Sequence, residues 1–235
     1  MAIYVTSDAH GHVRALDEAL SKISLMSDDT LYVLGDMIDR GPDPVGVIKL
    51  VRSLPNARVL KGNHEQIMLD AIIGQDPLDA ETWDINGGWT TRGQLNDMEF
   101  GAYEELVRWM AALPLYAVVE TEERPYLLVH AGIETEAARA FLLEHDVDCS
   151  DGAGAVGADR ELLKQMLAVQ SSDDLLWIRH GYWDAPTGLL SSEGKGPVVV
   201  SGHTPTVSLG RYCEVGGLAG LDGESGRGQI VRLGG

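Results

Sequence analysis

Apolar residues along the chain gather into five short runs, which read AIYVTS, TLYVLG, ARVLKG, PYLLVH and VVVSG. Each run is rich in Val, Ile, Leu or Tyr and has the length of a buried strand. Between the runs, apolar residues recur at helical intervals in two places: Val13, Leu16, Leu20 and Ile23, and later Leu106, Met110 and Leu113. Strands that alternate with helices predict an α/β layered domain.

Residues that can bind a metal or carry a proton follow every one of these runs. In chain order they are Asp8 and His10; Asp36, Asp39 and Arg40; Asn63, His64 and Glu65; His130; and His203. A single such residue has an ordinary explanation as a turn or cap residue. In open α/β sheets, however, ligands collect beyond the carboxyl ends of the strands. The pattern therefore predicts that these side chains converge at one edge of the sheet.

The residue types in this set favour a metal with mixed oxygen and nitrogen ligands. Asp, Asn and His together suit Mn²⁺, Fe or Zn²⁺ better than Ca²⁺. Six candidate ligands are too many for one tetrahedral ion with an open position, but they fit two ions if Asp36 bridges them. Two ions about 4 Å apart can clamp the attacking and leaving oxygens of a displacement at phosphorus.

Two segments differ from this alternating pattern. Residues 75–101 are polar, are broken by glycine and include Trp83 and Trp89, which predicts a loop excursion over the active-site face. Residues 145–160 are acidic and rich in Gly and Ala, which predicts a mobile surface loop. One last strand candidate, QIVRL, lies in the glycine-rich tail. We expect one domain over residues 1–235, since neither an internal repeat nor a boundary is visible.

Composition narrows the classes of function. The chain of 235 residues is 44% hydrophobic, and its 36 acidic and 18 basic residues give a net charge of −18. This charge disfavours binding to nucleic acid. Cys149 and Cys213 are too few for a disulfide framework and fit a reducing compartment. Neither a signal peptide nor a membrane-spanning run is visible, so we expect a cytoplasmic protein without a membrane partner. Its oligomeric state stays open.

Five motifs together resemble those of the calcineurin-like metallophosphoesterases. They are DAH at residues 8–10, GDMIDRG at 35–41, GNHE at 62–65, HAG at 130–132 and GHTP at 202–205. The DRG and GNHE forms are similar to those of the serine/threonine phosphoprotein phosphatase group, in particular its compact bacterial and phage members. The resemblance implies a two-sheet β sandwich flanked by helices.

The resemblance also implies roles for individual residues. Six would bind two divalent ions: Asp8 and His10 the first ion, Asp36 both ions, and Asn63, His130 and His203 the second. His64 would be the general acid and Asp39 its partner, which should raise the pKa of the imidazole. Arg40 would hold the phosphate, and Arg179 in LLWIR matches a second phosphate-binding arginine.

These roles predict a metal-dependent phosphomonoesterase, with Mn²⁺ as the favoured ion. A water shared by two ions loses a proton near neutral pH and can attack phosphorus in line, so no Ser or Cys nucleophile is needed. The favoured substrate is a protein phosphorylated on serine or threonine, with small phosphate esters as further substrates. The alternative is a hydrolase of symmetrical dinucleoside polyphosphates. A third hypothesis is a metal-binding scaffold without catalysis.

Overall fold

Two β-sheets form the centre of the computed structural model, which describes residues 1–74, 76–150, 152–179, 187–205, 213–215, 218–220 and 229–234. The first sheet contains β1 (Ile3–Thr6), β2 (Thr30–Val33), β3 (Ala57–Val59) and β9 (Val231–Leu233), in the order β3-β2-β1-β9. The strands β1, β2 and β3 run parallel, and β9 pairs antiparallel with β1. Three consecutive parallel strands therefore end at the same edge.

The second sheet has five strands in the order β4-β5-β6-β8-β7. They are β4 (Tyr116–Glu120), β5 (Pro125–Val129), β6 (Val198–Ser201), β7 (Cys213–Val215) and β8 (Leu218–Gly220). The three middle strands, β5, β6 and β8, run parallel to one another. The edge strands β4 and β7 pair antiparallel with β5 and β8.

The described part of the chain contains nine α-helices. They are α1 (Val13–Lys22), α2 (Pro44–Ser53), α3 (Asn63–Leu69), α4 (Pro77–Ile85), α5 (Trp89–Asn96), α6 (Phe100–Ala111), α7 (Thr135–Glu144), α8 (Arg160–Ala168) and α9 (Ser172–Trp177). A π-helical turn, Asp70–Gly74, continues α3. None of the helices described is long and apolar enough to cross a membrane.

Alternating side chains divide the core into three layers. In β5, Leu128 packs between the two sheets and Leu127 packs under helices of the second sheet. In β6, Val200 and Val199 make the same division. A third cluster packs α1, α2 and α6 against the outer face of the first sheet. This period of two is that of strands with both faces buried, and it confirms the two-sheet sandwich flanked by helices.

The predicted elements agree with the structure at most strands but not at one segment. The five apolar runs and QIVRL coincide with β1, β2, β3, β5, β6 and β9. Residues 75–101, expected as a loop, instead contain α4, α5 and the start of α6. Asp76 caps α4 by accepting a hydrogen bond from Leu78 N, with Pro77 as first helical residue. The segment is polar because these helices bury only a narrow strip, which includes Trp83 and Leu95.

Candidate metal centre

The loops after β1, β2, β3, β5 and β6 meet at one edge of the sandwich. They bring together the six residues predicted to bind metal, namely Asp8, His10, Asp36, Asn63, His130 and His203, and none of these is more than 3% exposed. The backbone N–H of His64 donates to Asp36 Oδ1 at 3.0 Å, which joins two of the loops. Beside them, Gly62 lies so close to the Asp36 carboxylate that a Cβ would not fit.

The backbone at this edge is strained. Seven non-glycine residues in the described part of the chain have a positive φ, and six of them belong to the predicted site. The six are Asp8, His10, Asp36, Asp39, Arg40 and His203, with φ between 40° and 69°. Left-handed backbone is costly for residues with a Cβ and persists where neighbouring contacts impose it. The clustering supports a functional site at these loops.

Asp36 lies in the middle of the centre, and each of its oxygens faces a different set of histidines. Its Oδ2 lies 3.5 Å from His10 Nε2 and 3.9 Å from His64 Nε2. Its Oδ1 lies 3.5 Å from His130 Nε2. On the first side, Asp8 Oδ1 is 3.9 Å from His10 Nε2. This is the arrangement expected of a carboxylate shared by two ions.

The second side is completed by Asn63. Its Oδ1 lies 2.9 Å from His130 Nε2 and 3.0 Å from His203 Nδ1. His130 Nδ1 donates to Leu34 O at 2.7 Å, so its Nε2 presents a lone pair to the centre. His10 is oriented likewise, since its Nδ1 donates to Ile38 O at 2.9 Å. Carbonyl partners thus aim both imidazole lone pairs inward.

Divalent cations fit this set of donors. Burial lowers the pKa of His10 to about 3 and that of His203 to about 2, so both rings are neutral at pH 7, the form in which an imidazole can bind a metal. Burial, together with the charges of Asp8 and Glu65, raises the pKa of Asp36 well above its usual value. Lone pairs and carboxylates that face one another in a buried site repel, and a cation relieves this repulsion.

The potential ligand atoms form two groups, and all atoms within a group lie within 4.8 Å of one another. One group is His10, Asp36 and His64, and the other is Asp36, His130 and His203, so Asp36 belongs to both. The residues therefore fit two ions. The first group contains His64, for which the resemblance implies proton transfer rather than metal binding.

Glu65 organises the loops behind the ligands. Its Oε2 accepts hydrogen bonds from Asp36 N and Gly62 N, and its Oε1 accepts one from Met37 N, all at 2.8 Å. The side chain is fully buried, and this burial raises the pKa of the carboxyl despite the three donors. Glu65 therefore holds the loop after β2 against the loop after β3, and so supports the candidate ligands from behind.

His64 and Asp39 form a buried pair, as the resemblance implies. His64 Nδ1 donates to Asp39 Oδ2 at 2.7 Å. Arg40 lies against the same imidazole, with NH2 2.8 Å from His64 Nε2 and NH1 3.1 Å from His10 Nε2. The guanidinium thus places positive charge on the open side of the first group of ligands.

The expected effect on the pKa of His64 was wrong. Burial, followed by the charges of Arg40 and His130, lowers this pKa to about 3. Burial also raises the pKa of Asp39 to about 6. Desolvation of a side chain that is only 1% exposed outweighs one carboxylate neighbour here.

Arg179 also belongs to this region. It is exposed and follows α9, and its positive charge contributes to lowering the pKa of both His64 and His203, after burial and the charges of other residues. The Trp177 ring, two residues earlier, makes an edge contact with His203 at 6.2 Å between centroids. The structure therefore brings both predicted phosphate-binding arginines to the edge that carries the ligands.

Two further residues at the site were not predicted from the sequence. Thr91 and Trp83 donate hydrogen bonds to Asp39 from the segment expected to be a loop. They lie 52 and 44 residues along the chain from Asp39, and no local pattern links them to it. The only signal is that both residues lie near the sequence INGG, in the segment that follows the third motif.

Comparison with known proteins decides the family. A family model described as calcineurin-like phosphoesterase matches residues 1–220. The chain belongs to this family. The match spans all five strand-end motifs, and it confirms the resemblance that those motifs carry.

Curated relatives in the family share a name. A symmetrical bis(5′-nucleosyl)-tetraphosphatase from Proteus mirabilis is 28% identical over 220 residues, which covers 91% of this chain and 68% of that protein. The protein of the same name from Erwinia tasmaniensis is 32% identical over 136 residues, covering 57% of this chain and 45% of the relative. The matched region thus spans about half the length of the second relative.

Solved structures show the same fold. A serine/threonine phosphatase from Saccharomyces cerevisiae matches with a TM-score of 0.58 at 15% identity, over 99% of this chain and 72% of that one. A putative diadenosine tetraphosphatase matches with a TM-score of 0.57 at 18% identity, over 99% and 92% of the two chains. At these identities the likeness concerns the fold alone.

Proposed function

We propose that the protein is a metal-dependent phosphoesterase that hydrolyses dinucleoside tetraphosphates between their two central phosphates. The observation that carries the proposal is the division of Asp36, whose two oxygens face two separate sets of histidines. The names of the curated relatives support this substrate class. Divalent ions at the two sides would supply Lewis-acid stabilisation of a phosphoryl group and would activate water as the nucleophile.

The protein's own residues would bind the phosphate and handle the proton. Arg40 and Arg179 bring guanidinium groups to the edge of the centre, where they would stabilise charge on the phosphoryl oxygens. His64 would donate a hydrogen bond to the leaving oxygen and would transfer the proton where that oxygen is strongly basic, while Asp39 holds its Nδ1–H. Phosphate bound by Arg40 would take hydrogen bonds from His64 and add negative charge beside it, and both changes favour the protonated imidazole.

The first test compares two substrates, diadenosine tetraphosphate and a phosphoserine or phosphothreonine peptide. Protein freed of metal and reconstituted with Mn²⁺ should convert diadenosine tetraphosphate into two molecules of ADP. Chromatography of the products provides the measurement. An Asp36→Asn variant serves as the inactive control. Production of ATP and AMP would contradict cleavage at the centre of the tetraphosphate. Metal-loaded protein that cleaves neither substrate with Mn²⁺, Fe²⁺ or Zn²⁺ would overturn the phosphoesterase proposal itself.

A phosphoprotein is the second candidate substrate. Arg40 and Arg179 are both exposed, so a phosphate carried on a protein surface could reach them. Faster hydrolysis of a phosphoserine or phosphothreonine peptide than of diadenosine tetraphosphate, at equal enzyme and metal concentration, would favour this second candidate.

A further inference from the structure

Asp39 accepts hydrogen bonds from two helices distant in sequence. Thr91 Oγ1 donates to Asp39 Oδ1 at 2.5 Å and accepts the backbone N–H of Asp39 at 2.9 Å. Trp83 Nε1 lies 3.0 Å from Asp39 Oδ1 and 3.2 Å from Oδ2. None of the three residues is more than 3% exposed, so water does not compete for these bonds.

The same helical segment holds the backbone of the turn. Asp39 and Arg40 are consecutive residues with φ of 69° and 63°. Such backbone is unfavourable for residues with a Cβ and needs support from its surroundings. Thr91 binds Asp39 N, and Gly87 O, between α4 and α5, accepts Arg40 N at 3.1 Å. The neighbouring Gly88 lies against the Trp83 ring with no room for a Cβ, which fixes the indole in turn.

These contacts determine which carboxylate oxygen is offered to His64. Asp39 Oδ1 is occupied by Thr91 and Trp83, and Oδ2 receives His64 Nδ1 at 2.7 Å. The carboxylate therefore cannot rotate without breaking buried hydrogen bonds. We propose that Trp83 and Thr91 are positioning residues for proton transfer from His64 to the leaving group. The inference rests on the phosphoesterase function proposed above.

A role in packing alone has a different consequence. Loss of a packing residue lowers stability and affects every substrate to the same degree. Loss of a positioning residue for the general acid affects mainly esters whose leaving group needs a proton, since an acidic phenol departs without one. The dependence of the rate on the leaving group separates the two roles.

Three substitutions make the test sharp. Thr91→Val and Trp83→Phe remove a donor and keep most of the side-chain volume, whereas Thr91→Ser keeps the hydroxyl. General acid catalysis contributes roughly 10²–10⁴-fold, so the first two variants should lower kcat for an alkyl phosphate by about 10-fold or more. Hydrolysis of p-nitrophenyl phosphate should change far less, and Thr91→Ser should restore the alkyl ester rate.

Trp89→Phe is the matched control. Trp89 opens α5 in the same segment, and it is 64% exposed. Its replacement should change neither rate. Metal content, measured for every variant, should equal that of the parent, which separates positioning of His64 from loss of ions.

A measurement that needs no turnover accompanies the kinetics. In Zn²⁺-loaded protein labelled with ¹⁵N-histidine, the His64 Nδ1–H resonance is identified by its loss in His64→Asn. It should shift in Thr91→Val and Trp83→Phe and stay unchanged in Trp89→Phe. An unshifted resonance, together with equal loss of rate on both esters, would overturn the inference. A parent that hydrolyses no ester would contradict the proposed function, and the resonance would still decide whether Trp83 and Thr91 position His64.

Discussion

The backbone N–H of His203 donates to the Asp8 carboxylate at 3.0 Å, although 195 residues separate the two. Asp8 follows a strand of the first sheet and His203 follows a strand of the second. The first and last of the six predicted ligands are thus joined directly. Gly202 makes this possible, since it lies too close to Ser7 and Asp8 for any side chain.

Replacing Asp36 with asparagine should weaken binding of both ions. One oxygen of the bridging pair becomes an amide nitrogen, which cannot bind a cation, and the negative charge between the two sets of histidines is lost. We expect activity to fall by at least about 10³-fold, as for removal of a residue central to catalysis. Metal analysis after gel filtration provides the measurement. Asp146→Asn, at an exposed aspartate that also has a positive φ, should retain metal and activity.

Replacing Glu65 with glutamine should loosen the loops that carry the ligands. The amide of the new side chain places an N–H donor against a backbone N–H group, where the Glu65 carboxylate offers an acceptor. A buried donor without a partner costs about 1–3 kcal/mol, and urea unfolding of the metal-free protein should show a loss of this size. Loss of such a supporting group should also weaken metal binding by about 10- to 100-fold. Glu81→Gln, on an exposed side of α4, should change neither quantity.

Replacing Arg179 with alanine should weaken catalysis without removing metal. A hydrogen bond to a charged group is worth about 1.5–3 kcal/mol, so kcat/KM should fall by about 10- to 100-fold. Steady-state kinetics beside metal analysis separates this effect from loss of ions. Arg52→Ala, which removes an exposed arginine paired with Glu105, is the control for the loss of one positive charge. Unchanged kcat/KM in Arg179→Ala would remove this arginine from the phosphate site.

Asp29 should make stability depend on pH at the acidic end. Its carboxylate accepts Ala2 N at 2.6 Å and Met26 N at 3.0 Å, and these donors lower its pKa in the folded protein. A depressed folded-state pKa stabilises the protein above the unfolded value of about 4, and this contribution is lost as the pH falls through the folded-state pKa. The difference in denaturant midpoint between the parent and Asp29→Asn should therefore shrink as the pH is lowered from about 6 to 3. A constant difference over this range would contradict the assignment.

The sequence could predict that the candidate ligands lie together because their positions follow from strand geometry. Asp36 and His130 each come directly after a short buried run, and parallel strands deliver such residues to one edge. The strand β4 escaped prediction because its apolar residues continue those of α6 with little interruption, so periodicity does not separate them. Thr91 and Trp83 also escaped, since their contact with Asp39 depends on how two helices fold back over the turn.

The centre draws Asp8 and Asp36 from one sheet and His130 and His203 from the other. Ions held there would link the two sheets of the sandwich to each other. Separating the sheets would then require release of the cations. The protection of backbone amides in β1 and β6 from hydrogen exchange should therefore increase with metal occupancy. A centre that spans both sheets would thereby make the stability of the fold depend on the supply of metal.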